Sequence, residues 1–143
     1  MPNITTDAYG HQSQTSAGTL GTALAAGAVS TTAIGTIVPT TAAGASPTVT
    51  AVAANDMAGT FILNPVTGGG AQAAGAVAQV FFAEPFAAIP KAVNVDMCDN
   101  AAGASGVAVA ASGQSLTTTG FTINVSAALT TAHNYTCYFS ITA

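Results

Sequence analysis

Charged side chains are nearly missing from this sequence. Only 4% of its residues are Asp, Glu, Lys or Arg, whereas an ordinary soluble domain carries roughly a quarter. Lys and Arg together number one, and the formal net charge is −4. Such a chain cannot neutralise a row of phosphates, which excludes nucleic acid as a partner, and it has no basic patch for an anionic membrane surface.

Long apolar runs are lacking as well. Gly, Thr, Gln, Glu and Pro interrupt each apolar stretch before it reaches the roughly eighteen residues that a membrane span needs. The opening MPNITTDAYGHQSQTS has neither the basic nor the apolar region of a signal peptide, so we expect synthesis in a cytoplasm. The two cysteines, Cys98 and Cys137, are therefore expected as free thiols.

What the sequence has instead is small and uncharged. Half of the residues are hydrophobic, yet aromatics make up 6% and tryptophan is absent. Such a surface must consist largely of Thr, Ser, Asn, Gln and backbone, from which water is removed at little cost when a partner docks. The composition therefore favours permanent assembly with other protein chains, and an acid-tolerant secreted protein is the alternative.

Residues 1–55 are predicted to form an extended low-complexity arm. Residues 1–18 are polar and without periodicity, and a tract rich in Ala, Gly, Thr, Ser and Val runs from Leu20 to Asn55. Gly21 and Gly27 weaken a helix there, whereas TAIGTIV and PTVTAVA alternate as short strands. Since the tract lacks the large side chains of a core, we expect it to become ordered against another subunit.

Residues 56–143 are predicted to form a β domain. Six segments show strand patterns: Gly59–Leu63, Val77–Phe82, Lys91–Cys98, Gly106–Ala111, Gly120–Ser126 and Tyr135–Thr142. The alternation is clearest in the last two, where large apolar residues occupy every second position. Short strands with turn signals at close intervals predict an all-β fold, a small antiparallel β-sandwich or barrel.

The segment AEPFAAIPKAV holds the only glutamate, Glu84, and the only basic side chain apart from histidine, Lys91. Pro85 and Pro90 are suited to strand ends and edges rather than to the middle of a sheet. We expect a strand, a turn and a second strand, with the amine of Lys91 in water. A salt bridge between Glu84 and Lys91 would contribute only about 0–1 kcal/mol.

Four stretches carry a family resemblance: AGTFILNPVTGGG, AVAQVFFAEPFAAIPKAVNV, TTTGFTINVSAAL and YTCYFSITA. From about Ala58 to Ala143 the chain resembles the small β modules of tailed-bacteriophage virion proteins, a group that includes head decoration proteins and fibre domains. The resemblance implies a β domain that commonly forms threefold assemblies, with an N-terminal part that anchors it or reaches its neighbours. It implies no active site.

Residues that could carry chemistry are few. His133, in a turn before the last strand, is interpreted as a solvated or interfacial turn residue, and neither it nor His11 has a triad signature around it. The run Asp96-Met97-Cys98-Asp99-Asn100 offers too few oxygens for calcium without neighbouring subunits. By strand alternation Cys98 and Cys137 face different directions, which disfavours a disulfide.

The aromatic residues occupy alternating strand positions, where core packing is the common use, and Tyr138 is the first candidate for surface stacking on a sugar. We therefore expect a non-enzymatic virion structural protein without catalytic residues, cofactor or metal. It would be a capsid decoration or cement protein that forms homotrimers and ties neighbouring major capsid protein subunits together on the virion surface. The alternatives are a tail or head fibre domain and a carbohydrate-binding module for host-surface glycans.

Overall fold

A computed structural model describes residues 4–6, 12–14, 33–65, 72–101 and 107–143. The elements in it are eleven strands and one 3₁₀ turn at Thr41–Ala43. The strands are β1 (Ile4–Thr6), β2 (Gln12–Gln14), β3 (Thr36–Pro39), β4 (Thr48–Ala54), β5 (Ala58–Asn64), β6 (Gly75–Phe81), β7 (Ala92–Asp99), β8 (Val107–Val109), β9 (Ala111–Gln114), β10 (Gly120–Val125) and β11 (Tyr135–Thr142).

Two antiparallel sheets pack face to face as a sandwich. One has four strands in the order β3-β6-β10-β9, and the other has five in the order β4-β5-β11-β7-β8. The predicted all-β sandwich is therefore confirmed. The predicted segments in 59–63, 77–82, 91–98, 120–126 and 135–142 all contain strands, with ends that differ from the prediction by at most two residues.

The core lies between the sheets and follows the predicted alternation. Tyr135, Cys137, Phe139 and Ile141 of β11 are buried while the residues between them are half-buried or exposed. On β10 every second residue from Phe121 is buried in the same way. Burial of each large apolar side chain stabilises the fold by about 1.5–3 kcal/mol, so strict alternation fixes which face of each strand turns inward.

The prediction of one strand over Gly106–Ala111 is wrong in detail. Its described part forms β8, which pairs with β7 in the five-stranded sheet, and the chain then crosses at Ala110 to β9, which pairs with β10 in the four-stranded sheet. Small side chains on β9 allow the two sheets to approach closely, since a Cβ on Gly113 would lie 2.4 Å from Cγ1 of Val93. Because the residues around this crossing are mainly alanine, serine and glycine, the sequence has no periodic pattern that predicts it.

The boundary predicted between an arm and a domain at residue 55 falls inside the sandwich. β3 pairs with β6, and β4 pairs with β5, so residues 36–54 supply one edge strand to each sheet. β1 and β2 pair with each other as antiparallel strands, which corrects the prediction of a stretch without periodicity at the start of the arm. Gly21, Gly27 and His11 lie outside the described residues.

Candidate interaction surface

The few charged groups are spread unevenly over the described residues. Asp56 is fully buried, Glu84 and Lys91 lie exposed on the connection between β6 and β7, and Asp96 is exposed on β7. Asp99, at the end of β7, pairs with a histidine. Because none of them lies on the four-stranded sheet, the two outer faces of the sandwich differ in charge.

The outer face of the four-stranded sheet has no ionisable side chain among the described residues. Its central exposed positions are Gln79 and Phe81 on β6, which pair across the strands with Val38 and Thr36 of β3. Val38 is 41% exposed and Phe81 is 42% exposed. Two large apolar side chains are thus surrounded by uncharged hydroxyl and amide groups. Water can be displaced from such a surface at little cost in free energy.

Phe81 borders a shallow depression of about 200 Å³ that is lined by threonines, Gln79 and Gly120. Gly120 is the partner of Phe81 across β10. No larger residue fits at this position, since a Cβ there would lie 2.2 Å from the carbonyl oxygen of Val80. Position 120 therefore requires glycine, which lets β10 approach β6 closely beside Phe81.

The outer face of the five-stranded sheet carries a carboxylate near its middle. Tyr138 on the central strand β11 is 45% exposed, and its cross-strand neighbours are Asp96 on β7 and Thr60 on β5. Asn94 and Ser140 form the next pair along the same face. Any partner covering this face would have to remove water from Asp96, which costs several kcal/mol unless the partner supplies a matching charge.

The aromatic side chains do not gather into a sugar-binding platform within the described part of the chain. Five phenylalanines are buried with Tyr135 in the core: Phe61, Phe82, Phe86, Phe121 and Phe139. The two exposed rings, Phe81 and Tyr138, lie on opposite outer faces. Stacking on a glycan commonly uses an exposed aromatic surface, and here each face offers a single ring.

His133 and Asp99 are brought together by the turn before β11. Nδ1 of His133 lies 2.7 Å from Oδ2 of Asp99, and the backbone N–H of Ala101 donates to Oδ1 of the same carboxylate at 2.9 Å. The preceding residue, Ala132, has φ 66°, a left-handed turn conformation. Both carboxylate oxygens of Asp99 therefore fasten a loop.

Burial of Asp99 on its own would raise the pKa of this carboxyl. The hydrogen bonds from His133 and Ala101 and the nearby imidazole outweigh that effect and hold the pKa of Asp99 below its usual value. His133 is thus a loop-fastening residue at one end of the sandwich, where a solvated or interfacial turn residue was predicted.

Cys98 and Cys137 are free thiols that face different ways, as predicted. Cys137 is fully buried and pairs with Met97, while Cys98 is half-buried and pairs with Thr136. Burial, with a smaller effect of the neighbouring Cys98, raises the pKa of Cys137 to about 12. A thiol in that state is a core side chain and a poor nucleophile.

Asp56 is the residue of greatest structural consequence that the sequence pattern did not single out. Its Oδ1 accepts the N–H of Ala83 at 2.7 Å and its Oδ2 accepts the N–H of Glu84 at 3.1 Å. The acid follows β4, whereas its partners lie 27 and 28 residues later, so no local pattern connects them. The only sequence sign of this role is a lone acid that follows an Ala-rich strand. It stands beside Asn55, whose side chain caps the turn by accepting the N–H groups of Met57 and Ala58.

Comparisons with protein-family models, curated proteins and solved structures find no match to this chain. In the described part of the chain, no helix is long and apolar enough to cross a membrane.

Proposed function

We propose that this protein is a non-enzymatic virion structural subunit, a capsid decoration or cement protein that forms homotrimers and binds across neighbouring major capsid protein subunits. The observation that carries the proposal is the outer face of the four-stranded sheet, where Val38 and Phe81 are exposed and no described side chain is ionisable. This face can be covered permanently without burying a charge.

The physical basis is the balance between desolvation and apolar burial. Contact of Phe81 and Val38 with a partner gains roughly 25 cal/mol for each Å² of apolar surface removed from water. The hydroxyl and amide groups around them exchange water for partner groups at little net cost. A subunit whose surface carries so few ions has weak electrostatic repulsion against further copies, which suits dense packing on a shell.

The N-terminal residues have a place in the same proposal. Residues 1–32 precede β3, an edge strand of the four-stranded sheet. Their mostly small and uncharged side chains suit them to extend the covered surface over neighbouring capsid subunits. The sandwich itself begins with β3, and the anchoring segment is thus shorter than the 55 residues predicted from composition.

The experiment compares two lysine substitutions of equally exposed aromatic residues in the full chain. Phe81→Lys and Tyr138→Lys are each added to capsid shells of the parent phage that were assembled without this protein, and bound protein is measured by co-sedimentation. We expect Phe81→Lys to weaken binding at least about tenfold, a loss of about 1.4 kcal/mol, because a charge enters the covered face. Tyr138→Lys is the matched control and retains binding.

Two results contradict the proposal. Wild-type protein that does not bind the shells would remove the proposed role altogether. Shell binding that Tyr138→Lys abolishes and Phe81→Lys leaves intact would assign the covered surface to the wrong sheet. Far-ultraviolet circular dichroism of each variant confirms that the β fold is retained.

A further inference from the structure

The connection between β6 and β7, residues 82–91, is an exposed loop with an apolar centre. Ala87, Ala88 and Ile89 are all exposed, and Ile89, at 63%, is the most exposed of the large hydrophobic side chains in the described residues. Phe86 and Pro90 on either side of them are buried. Because most of its side chain stays in water, Ile89 contributes less to the stability of the single chain than a buried isoleucine would.

The loop is held in place by backbone hydrogen bonds at both ends. Besides the two bonds to the carboxylate of Asp56, the N–H of Phe86 donates to the carbonyl of Thr118 at 2.8 Å and the N–H of Lys91 donates to the carbonyl of Thr142 at 2.8 Å. The Phe82 and Phe86 rings meet edge to face at 4.8 Å. A loop ordered before contact loses little conformational entropy when a partner binds.

Charges of both signs flank the apolar centre. Glu84 lies before it and Lys91 after it, and both are exposed. Lys91 donates one hydrogen bond to the carbonyl oxygen of Ala143 at 3.0 Å, and its ammonium group has two further protons to donate. Glu84 and Lys91 form no ion pair with each other in the described structure, so both charges are available to a partner.

The loop also contains an apolar recess. Ile89 forms part of the wall of a depression of about 280 Å³, which is also lined by Phe86, Ala88 and Lys91 and has room for a branched aliphatic side chain. One loop thus contains a projecting apolar residue, an apolar recess, an acid and a base. An interface with an apolar centre and a charged rim is the common form of protein contact.

We propose that residues 84–91 form the contact between copies of this chain, with Ile89 of one copy seated beside Phe86 of the next and Glu84 paired with the neighbour's lysine at position 91. Lys91 is the only Lys or Arg in the sequence, so ion pairs of this kind between copies must use it. A second copy supplies the matching acid by symmetry. The proposal rests on the proposed function, since it assigns a surface to its self-assembly.

Charge reversal in the full chain tests the contact. Self-association of Glu84→Lys, Lys91→Glu and the double variant is measured by sedimentation velocity over a concentration series at about 0.15 M salt, where exposed charges still interact over about 8 Å. Each single reversal places like charges together, and we expect it to raise the dissociation constant about tenfold. The double reversal recreates the opposite pair, and we expect a value within about threefold of wild type.

Ile89→Ser and Asp96→Lys complete the design. Ile89→Ser removes the apolar centre and is expected to weaken self-association about tenfold as well, whereas Asp96→Lys alters charge on a distant face and leaves it unchanged. Single reversals that associate like wild type, or a double reversal as weak as the singles, would overturn the loop contact. Shell binding by the same variants reads out the proposed function separately, since Phe81 and Val38 are intact in all of them.

Discussion

The two outer faces of the sandwich expose an aromatic ring to almost the same degree, yet they are different surfaces. Phe81 is 42% exposed and Tyr138 is 45% exposed. The neighbours of Phe81 across the strands are Thr36 and Gly120, while Tyr138 pairs with Asp96. Exposure alone therefore does not define a docking surface, because the cost of removing water from adjacent charges decides whether the ring can be covered.

The largest expected effect concerns Asp56 and the connection between β6 and β7, which joins the two sheets. Asp56 fastens the connection from β6 in one sheet to β7 in the other through Ala83 and Glu84. Asp56→Ala leaves two backbone N–H groups without an acceptor, and we expect the free energy of unfolding to fall by about 3 kcal/mol. Urea denaturation of the full chain measures this change.

Glu84→Gln is the control for that prediction. It removes an exposed charge from the same connection but keeps the backbone bonds to Asp56, so its effect on unfolding should stay within about 0.5 kcal/mol. Equal stability of Asp56→Ala and wild type would show that the two sheets keep their connection without this carboxylate.

The second prediction concerns a substitution that makes the two outer faces alike in charge. Asp96→Ser removes the carboxylate beside Tyr138 and leaves an uncharged face around an exposed ring, as at Phe81. We expect a new association through this face that strengthens self-association about fivefold, corresponding to about 1 kcal/mol. Sedimentation velocity detects it, and adding Tyr138→Lys to the same chain should reverse it.

An Asp96→Ser chain that associates no more than wild type would contradict the role given to this carboxylate. In that case the difference between the faces would have to come from the shape around Phe81 and Gly120. Charge would then not explain which face is covered, even if the four-stranded sheet is the covered surface.

The smallest expected effect is a dependence of folding stability on pH that docking does not share. The pKa of Asp99 is lower in the folded chain than in the unfolded chain, so its stabilising contribution is present above the unfolded pKa of about 3.9 and is lost as pH falls through the folded value. We expect a loss of about 1 kcal/mol from this group. Asp99→Asn should lose this component of the acid dependence, as measured by urea denaturation between about pH 6 and pH 2.5.

Docking through the four-stranded sheet should respond differently over the pH range in which the fold is intact. No described ionisable group lies on that face, so shell binding is expected to stay constant between about pH 5 and pH 8. Binding that changes severalfold in this range would place a titrating group in the covered surface. Acid dependence that Asp99→Asn leaves unaltered would show that another carboxyl controls stability.

Large side chains explain why much of this fold was predictable from sequence. On β10 and β11 the buried residues Phe121, Ile123, Cys137 and Phe139 alternate strictly with half-buried or exposed Thr, Asn, Tyr and Ser, so face and register follow from burial. The sequence predicts short strands at β3 and β4 but places them in an arm, because β3 is only four residues long and the alanines and threonines of β4 give no measure of tertiary burial. β4 also has an irregular register between Thr50 and Ala53, where Ala51 has φ 49°.

Tertiary partners explain what the sequence did not predict. The carboxylate of Asp56 binds a connection 27 residues away, and His133 meets Asp99 across 34 residues. Neither pairing has a spacing that a local pattern could show. The uncharged face likewise depends on which strands become neighbours, since composition records the scarcity of charge but does not say where the few charges lie.

The decisive measurement is a reconstruction of the particle that carries this protein, at a resolution sufficient to orient one sandwich. We expect the outer face of the four-stranded sheet, with Val38 and Phe81, to lie against capsid protein. We expect the face with Tyr138 and Asp96 to be open to solvent. A particle in which Asp96 lies within the contact and Phe81 faces solvent would contradict this expectation.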